Sequence, residues 1–208
     1  LWRDRLLPFE RNTRTGTRAP RGGPELLDHQ ARWAFDARRL AARVAHAAGG
    51  ARVAHIGSTA IPGMPAKDVI DLQLTVPDLV VADELRPRLT AAGFPRSYGR
   101  EQDTPHPPGD DLDRWQKRFH ANADPGQSLN LHMRVKDSPG WQWALIFRDW
   151  LIAEPTVAAE YLAVKQSVVA AHAANPTIDG YAMAKELWLA EVYPRGIAWA
   201  RATDWSAG

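Results

Sequence analysis

From Glu25 to Ala48 the apolar positions Leu26, Leu27, Trp33, Leu40 and Val44 recur at helical spacing between Pro24 and Gly49-Gly50. Proline suits a first helical turn and glycine readily ends a last one, so this stripe predicts one long amphipathic helix. The period then shortens. Arg52 to Gly57 and Val69 to Val76 are brief, β-branched and bounded by Gly and Pro, which predicts two strands. Asp78 is placed to cap a helix through Ala92, with Pro87 disturbing it and Gly93 ending it. Phe94 to Tyr98 reads as a weak strand, and Gly99 to Asp113 as a polar, proline-bearing loop too long for a simple connection. Loops of that kind often form part of a site. Trp115 to Ala121 and Leu129 to Val135 predict an antiparallel pair around the turn Ala123-Asp-Pro-Gly126. Beyond Ser138-Pro139, helices are expected over 139–153, 155–174 and 180–201, each opened by a proline or a polar cap. The sum is an α/β fold of the α+β type: a mixed sheet flanked by helices, with a helical C-terminal third and no internal repeat.

Composition narrows the picture. With 208 residues and 45% hydrophobic content, the chain can bury one sizeable core. Residues 10–24 are rich in Arg, Thr, Gly and Pro without an apolar period, so a basic linker over 1–23 is expected to precede a single globular domain over 24–208. The linker carries Arg3, Arg5, Arg11, Arg14, Arg18 and Arg21 against Asp4 and Glu10, and reads either as a solvated connector or as an arm for an acidic neighbour. A chain opening on Leu1 is expected to be a piece of a longer polypeptide. The 26 basic and 24 acidic residues are too evenly matched for a dedicated nucleic-acid surface. The absence of cysteine excludes disulfides, thiol catalysis and thiolate zinc sites, and is compatible with a reducing compartment. No run approaches the length of a membrane span and the first residues lack a secretion signal, so the expectation is a soluble, cytoplasmic protein without a membrane partner.

Candidate chemistry gathers between His55 and Val76. Gly57-Ser58-Thr59, leaving a strand, can aim backbone amides and two hydroxyls at a phosphate, because glycine lets the chain approach closely. The same tripeptide also serves as an ordinary turn. Lys67, just before the second strand, is suited to neutralise phosphate as a point charge or to sit at a solvated strand edge. On that strand Ile70, Leu72 and Leu74 share one face and Asp71 and Gln73 the other. An acid in so apolar a run needs a partner, which makes Asp71 the leading candidate for a catalytic or metal-holding role. Gln73 stands where a second carboxylate would be expected and supplies oxygen without charge. On the strand Leu129-Asn-Leu-His-Met133, Asn130 and His132 share a polar face, and His132 is placed to join Asp71 as a metal ligand or acid/base group, or to be a satisfied structural histidine. Asp71, Gln73 and His132 do not describe an efficient magnesium site; histidine suits manganese or zinc better. In the helical third, Tyr161/Lys165 and Tyr181/Lys185 are four residues apart, so each ring lies beside its ammonium. They fit a nucleotide pocket or a solvated helix face.

With these residues in hand, the chain resembles the GrpB family, an offshoot of the nucleotidyltransferase superfamily. The resemblance rests on His55-Ile-Gly-Ser-Thr with Pro62-Gly63 and Ala66-Lys67, on Ile70-Asp71, Leu131-His132 and Phe147-Arg148-Asp149, and on Tyr161 with Lys165 and Lys185. It implies a nucleotidyltransferase-like mixed sheet, phosphate contacts from Gly57, Ser58, Thr59, Lys67, Arg148, Tyr161, Lys165 and Lys185, and a divalent cation, magnesium or manganese, at Asp71 with Gln73 and His132. The opening Leu1-Trp-Arg-Asp-Arg-Leu-Leu-Pro-Phe-Glu-Arg-Asn is similar to the tail of actinobacterial dephospho-CoA kinases that carry such a domain. The expectation is a domain that binds a nucleotide or CoA-type phosphate and supports a kinase half in the same polypeptide. Weak or no transfer follows from the missing carboxylate. An active metal-dependent nucleotidyltransferase with an unknown acceptor is the alternative.

Overall fold

The computed structural model describes residues 25–121, 127–171 and 179–207. The linker over 1–23 and the Ala123-Asp-Pro-Gly126 turn lie outside these residues. Strands β1 (Val53–Ile56), β2 (Val69–Val76), β3 (Lys117–Ala121) and β4 (Ser128–Val135) form one sheet in the order β1-β2-β4-β3. β2 runs parallel to β4, while the outer pairs are antiparallel, so the sheet is mixed as expected. Register places Asp71 opposite Asn130 and Gln73 opposite His132.

The two faces of the sheet differ because residues alternate along each strand. Ile70, Leu72, Leu74, Leu129, Leu131 and Met133 form one face, where helix α1 (Arg32–Ala47) packs Trp33, Ala37, Leu40 and Val44 against them. Burying each large apolar side chain contributes about 1.5–3 kcal/mol, so this layer anchors the domain. Helices α2 (Leu79–Glu84) and α3 (Arg86–Ala91) add Ala82 and Leu89 to the same cluster. The opposite face carries Asp71, Gln73, Asn130, His132 and Arg134. Beside it lie helices α4 (Pro139–Ala153), α5 (Pro155–Ala171) and α6 (Asp179–Ala202), which bury Trp143, Trp150, Tyr161 and Val192 in a core of their own. Among the described residues no helix is long and apolar enough to cross a membrane.

Several boundaries differ from the pattern's prediction. Leu26 and Leu27 do not extend α1, because Leu27 pairs with Ala66 through two backbone hydrogen bonds of 2.9 Å and draws the chain extended. The helix expected from Asp78 to Ala92 breaks at Leu85; the Asp78 side chain caps the first piece by accepting from the Val81 amide at 2.8 Å, and Pro87 starts the second. Phe94 to Tyr98 forms only a bridge between Arg96 and His120. Trp115 ends a 3-10 turn (Leu112–Trp115), so β3 begins at Lys117. The helix expected to reach residue 174 is described as far as Ala171.

Candidate functional site

A half-open cleft of about 530 Å³ lies over the polar face of the sheet. Its floor is Asp71, Asn130, His132, Lys117 and Arg134. Its rim is Ser58, Thr59 and Lys67 on one side, Gly99, Arg100 and Gln102 to Thr104 on another, and Lys185 with Glu186 from α6.

Gly57 sits between β1 and the 3-10 turn Ser58–Ala60 with φ 72 and ψ −173, a conformation nearly confined to glycine. A Cβ at this position would stand 2.6 Å from Asp71 Oδ2. The close approach inferred from this glycine is therefore made to the carboxylate of the neighbouring strand. The turn carries Ser58 to the cleft, where its Oγ donates to the Tyr161 hydroxyl at 3.4 Å. Thr59 turns inward: its buried Oγ1 lies 3.0 Å from His55 Nε2 and donates to the Val69 carbonyl at 3.5 Å.

Asp71 Oδ1 accepts from the Asn130 amide at 2.7 Å and faces His132 Nε2 at 3.7 Å. Burial works against its ionisation, but His132, the Asn130 amide and the Lys67 ammonium outweigh it and hold the carboxyl below its ordinary range. Burial pushes His132 down to about 4, and Lys117 and Arg134 add to the shift. Lys117 Nζ and Arg134 Nη2 each lie 3.3 Å from His132 Nδ1. Both are obligate donors, so Nδ1 must accept and the neutral ring carries its proton on Nε2. The edge of His132 that faces Asp71 is thus a hydrogen-bond donor, and the ring is poorly placed to act there as a general base.

Asp103 organises the cations and was not singled out by the sequence pattern. Residues 101–103 pair with 115–117: the Lys117 amide donates to the Glu101 carbonyl at 2.7 Å and the Asp103 amide to the Trp115 carbonyl at 3.0 Å. Asp103 is delivered in this way against Arg134, whose Nε and Nη2 donate to its two oxygens at 2.6 and 2.8 Å, and against Lys117, which also donates to it. Burial opposes the charge, yet Arg134 and Lys117 hold the Asp103 carboxyl far below the carboxylate range. Gly140 gives it room, since a Cβ there would stand 2.6 Å from Asp103 Oδ2. The one available signal was the length of the loop.

Other expected residues are placed elsewhere. Gln73 is fully buried beneath the cleft; its Oε1 accepts from Arg134 Nη1 at 2.7 Å and its Nε2 donates to the Trp141 carbonyl at 3.2 Å. Arg148 ties α4 to β1, donating to the His55 carbonyl at 3.0 Å and to Asp149 at 2.6 Å. Tyr161 is buried with Trp188 stacked on its ring, centroids 5.4 Å apart, and the Lys165 ammonium 5.3 Å from the centroid. It presents its hydroxyl to Ser58, and its faces are already occupied. Lys165 donates to the Pro65 carbonyl, and burial, with Lys185 and Lys67 nearby, lowers its ammonium to about 7. Lys67 and Lys185 reach the cleft; the side chain of Tyr181 lies outside the described residues.

The donor set does not fit a magnesium or manganese ion. Such ions need several hard oxygens and compensating negative charge. Among the described residues no three His, Asp or Glu side chains converge in a metal-holding group. Around Asp71 the cleft instead gathers Lys67, Arg100, Lys117, Arg134 and Lys185 against Asp103 and Glu186.

The fold and site define an α/β domain with a cation-rich cleft on the polar face of a mixed four-stranded sheet. The profile described as GrpB protein matches residues 24–195, and the chain belongs to the GrpB family. It is similar to the dephospho-CoA kinase of Mycolicibacterium paratuberculosis, 43% identical over 99% of this chain and 53% of that protein, and to that of Mycobacterium tuberculosis, 41% identical over 99% and 53%. The chain thus spans about half the length of these curated relatives. The crystal structure of GrpB from Enterococcus faecalis superposes with a TM-score of 0.67 at 20% identity, covering 84% of this chain and 98% of that one, which supports the shared fold.

Proposed function

We propose that the cleft binds a phosphate-bearing small molecule of the nucleotide or CoA type, with weak or no group transfer by this domain itself. The observation that carries this reading is the charge of the site: Lys67, Arg100, Lys117, Arg134 and Lys185 line the cleft against the three carboxylates of Asp71, Asp103 and Glu186. Cations and backbone amides can hold phosphate by charge-assisted hydrogen bonds. Group transfer is disfavoured because Gln73 is consumed by Arg134 and Trp141, and the Nδ1 of His132 is consumed by two cations.

The similarity to half of each mycobacterial dephospho-CoA kinase supports a setting in coenzyme A biosynthesis. In this reading residues 1–23 link the GrpB domain to a kinase half in one polypeptide. The domain would then hold a ligand of that kinase, or steady it.

Calorimetric titration with ATP, CTP and dephospho-CoA tests the pocket. At least one of them should bind, and Ser58→Ala combined with Lys67→Ala should weaken it about tenfold, the equivalent of about 1.4 kcal/mol. Binding untouched by the double substitution would place the ligand elsewhere. Pyrophosphate release from ATP that is lost in Asp71→Ala would favour an enzyme instead.

A further inference from the structure

We propose that Lys117 and Arg134, fixed on Asp103, stand in for a divalent cation on this sheet, so that the cleft takes the metal-free form of its phosphate ligand. The inference rests on the anion-binding reading above and adds which ionic species is recognised.

Three observations support it. The first is where the ligand oxygens of Asp71 point. Oδ1 is engaged by the Asn130 amide at 2.7 Å, and Oδ2 lies so close to Gly57 that even a methyl group there would stand 2.6 Å away. A metal would find one encumbered carboxylate where it needs several open oxygens. The second is that Gln73, on the same strand face, gives its oxygen to Arg134 at 2.7 Å, and Arg134 is also clamped bidentately by Asp103. A guanidinium therefore already stands on the Gln73 oxygen, and the Lys117 ammonium shares Asp103 with it. The third is charge: Lys67 lines the same cleft as Asp71 and favours its ionised form, and Lys117 and Arg134 both contact His132 Nδ1 at 3.3 Å. A dication brought to Asp71 would be repelled by all of them, whereas a polyanion would be attracted.

The device is preorganised. Asp103 holds both cations in place before any ligand arrives. Arginine and lysine can stabilise phosphate oxygens without the dehydration that magnesium resists.

Titration of the wild-type chain with ATP, once in EDTA and once in excess magnesium chloride, tests the inference without any substitution. Free ATP should bind about tenfold more tightly than its magnesium complex, a difference of about 1.4 kcal/mol. Binding that vanishes in EDTA and returns with magnesium or manganese would overturn the inference while leaving the anion-binding cleft intact. No binding under either condition would remove both. Lys117→Gln, which leaves Arg134 to hold Asp103, should weaken free ATP about tenfold; unchanged affinity in a variant with a wild-type urea transition would also overturn it.

Discussion

Gly57 and Asp71 are a pair in which neither residue can be changed independently. The backbone of Gly57 lies in a region nearly forbidden to side chains, and its α-carbon faces the carboxylate. Gly57→Ala is expected to destabilise the fold by about 1–3 kcal/mol in urea denaturation, from backbone strain alone, and to displace Asp71 from Asn130. A variant as stable as wild type would show that the turn relaxes at no penalty. Buried histidines give a second prediction at this scale. His55, His120 and His132 are each pushed by burial to about 4. The unfolded chain takes up these protons near pH 6.5, so between about 6.5 and about 4 the unfolded state binds more protons. Stability is therefore fully present above the unfolded value and falls as the pH drops through this window. Urea midpoints should be lower at about pH 5 than at about pH 7; imidazole resonances titrating near about 6.5, the ordinary value of a free imidazole, would contradict the burial. Gln73 tests the floor of the site: Gln73→Leu leaves Arg134 and the Trp141 carbonyl each short of a partner, a loss of about 2–3 kcal/mol in the same assay.

The elements that matter most are those whose role is set by distant partners. The loop between residues 99 and 113 was visible in the sequence as too long to be idle, but Asp103 was not, because its meaning depends on Arg134 and Lys117 from two other strands. Removing its charge leaves two buried cations facing each other, so Asp103→Asn is expected to destabilise by about 3–5 kcal/mol, measured by urea denaturation. Helix α6 illustrates the same dependence. An alanine in place of Gly196 would ordinarily favour a helix, but its Cβ would stand 2.7 Å from Trp143 Cζ3, and that ring is held by Tyr193 and Phe147. Gly196→Ala should therefore lower the unfolding temperature; a rise would mean that α6 can withdraw from α4 freely.

At the scale of the whole molecule, strand alternation made the two faces of the sheet legible. The apolar face through Ile70, Leu72 and Leu74 and the polar face through Asp71 and Gln73 are seen where the pattern put them, with His132 beside Asp71. Alternation could not say how far from the sheet other groups would reach. Arg148 read as a ligand contact from the family resemblance, and Tyr161 from its spacing to Lys165 and that resemblance; here the helices use them to join α4 to β1 and to fill the core around Trp188. Nor could it reveal that Gln73 would be covered by α4 through the Trp141 carbonyl. The result is a family fold in which two cations fixed on Asp103 stand on the polar face of the sheet.

The most direct measurement is a two-dimensional amide NMR titration of the chain with dephospho-CoA and with ATP in EDTA. A saturating, concentration-dependent shift of the Gly57, Ser58, Lys67, Asp71 and His132 amides, with the apolar face of the sheet unmoved, is the result expected from a phosphate-binding cleft. Shifts confined to other surfaces, or none at millimolar ligand, would contradict it.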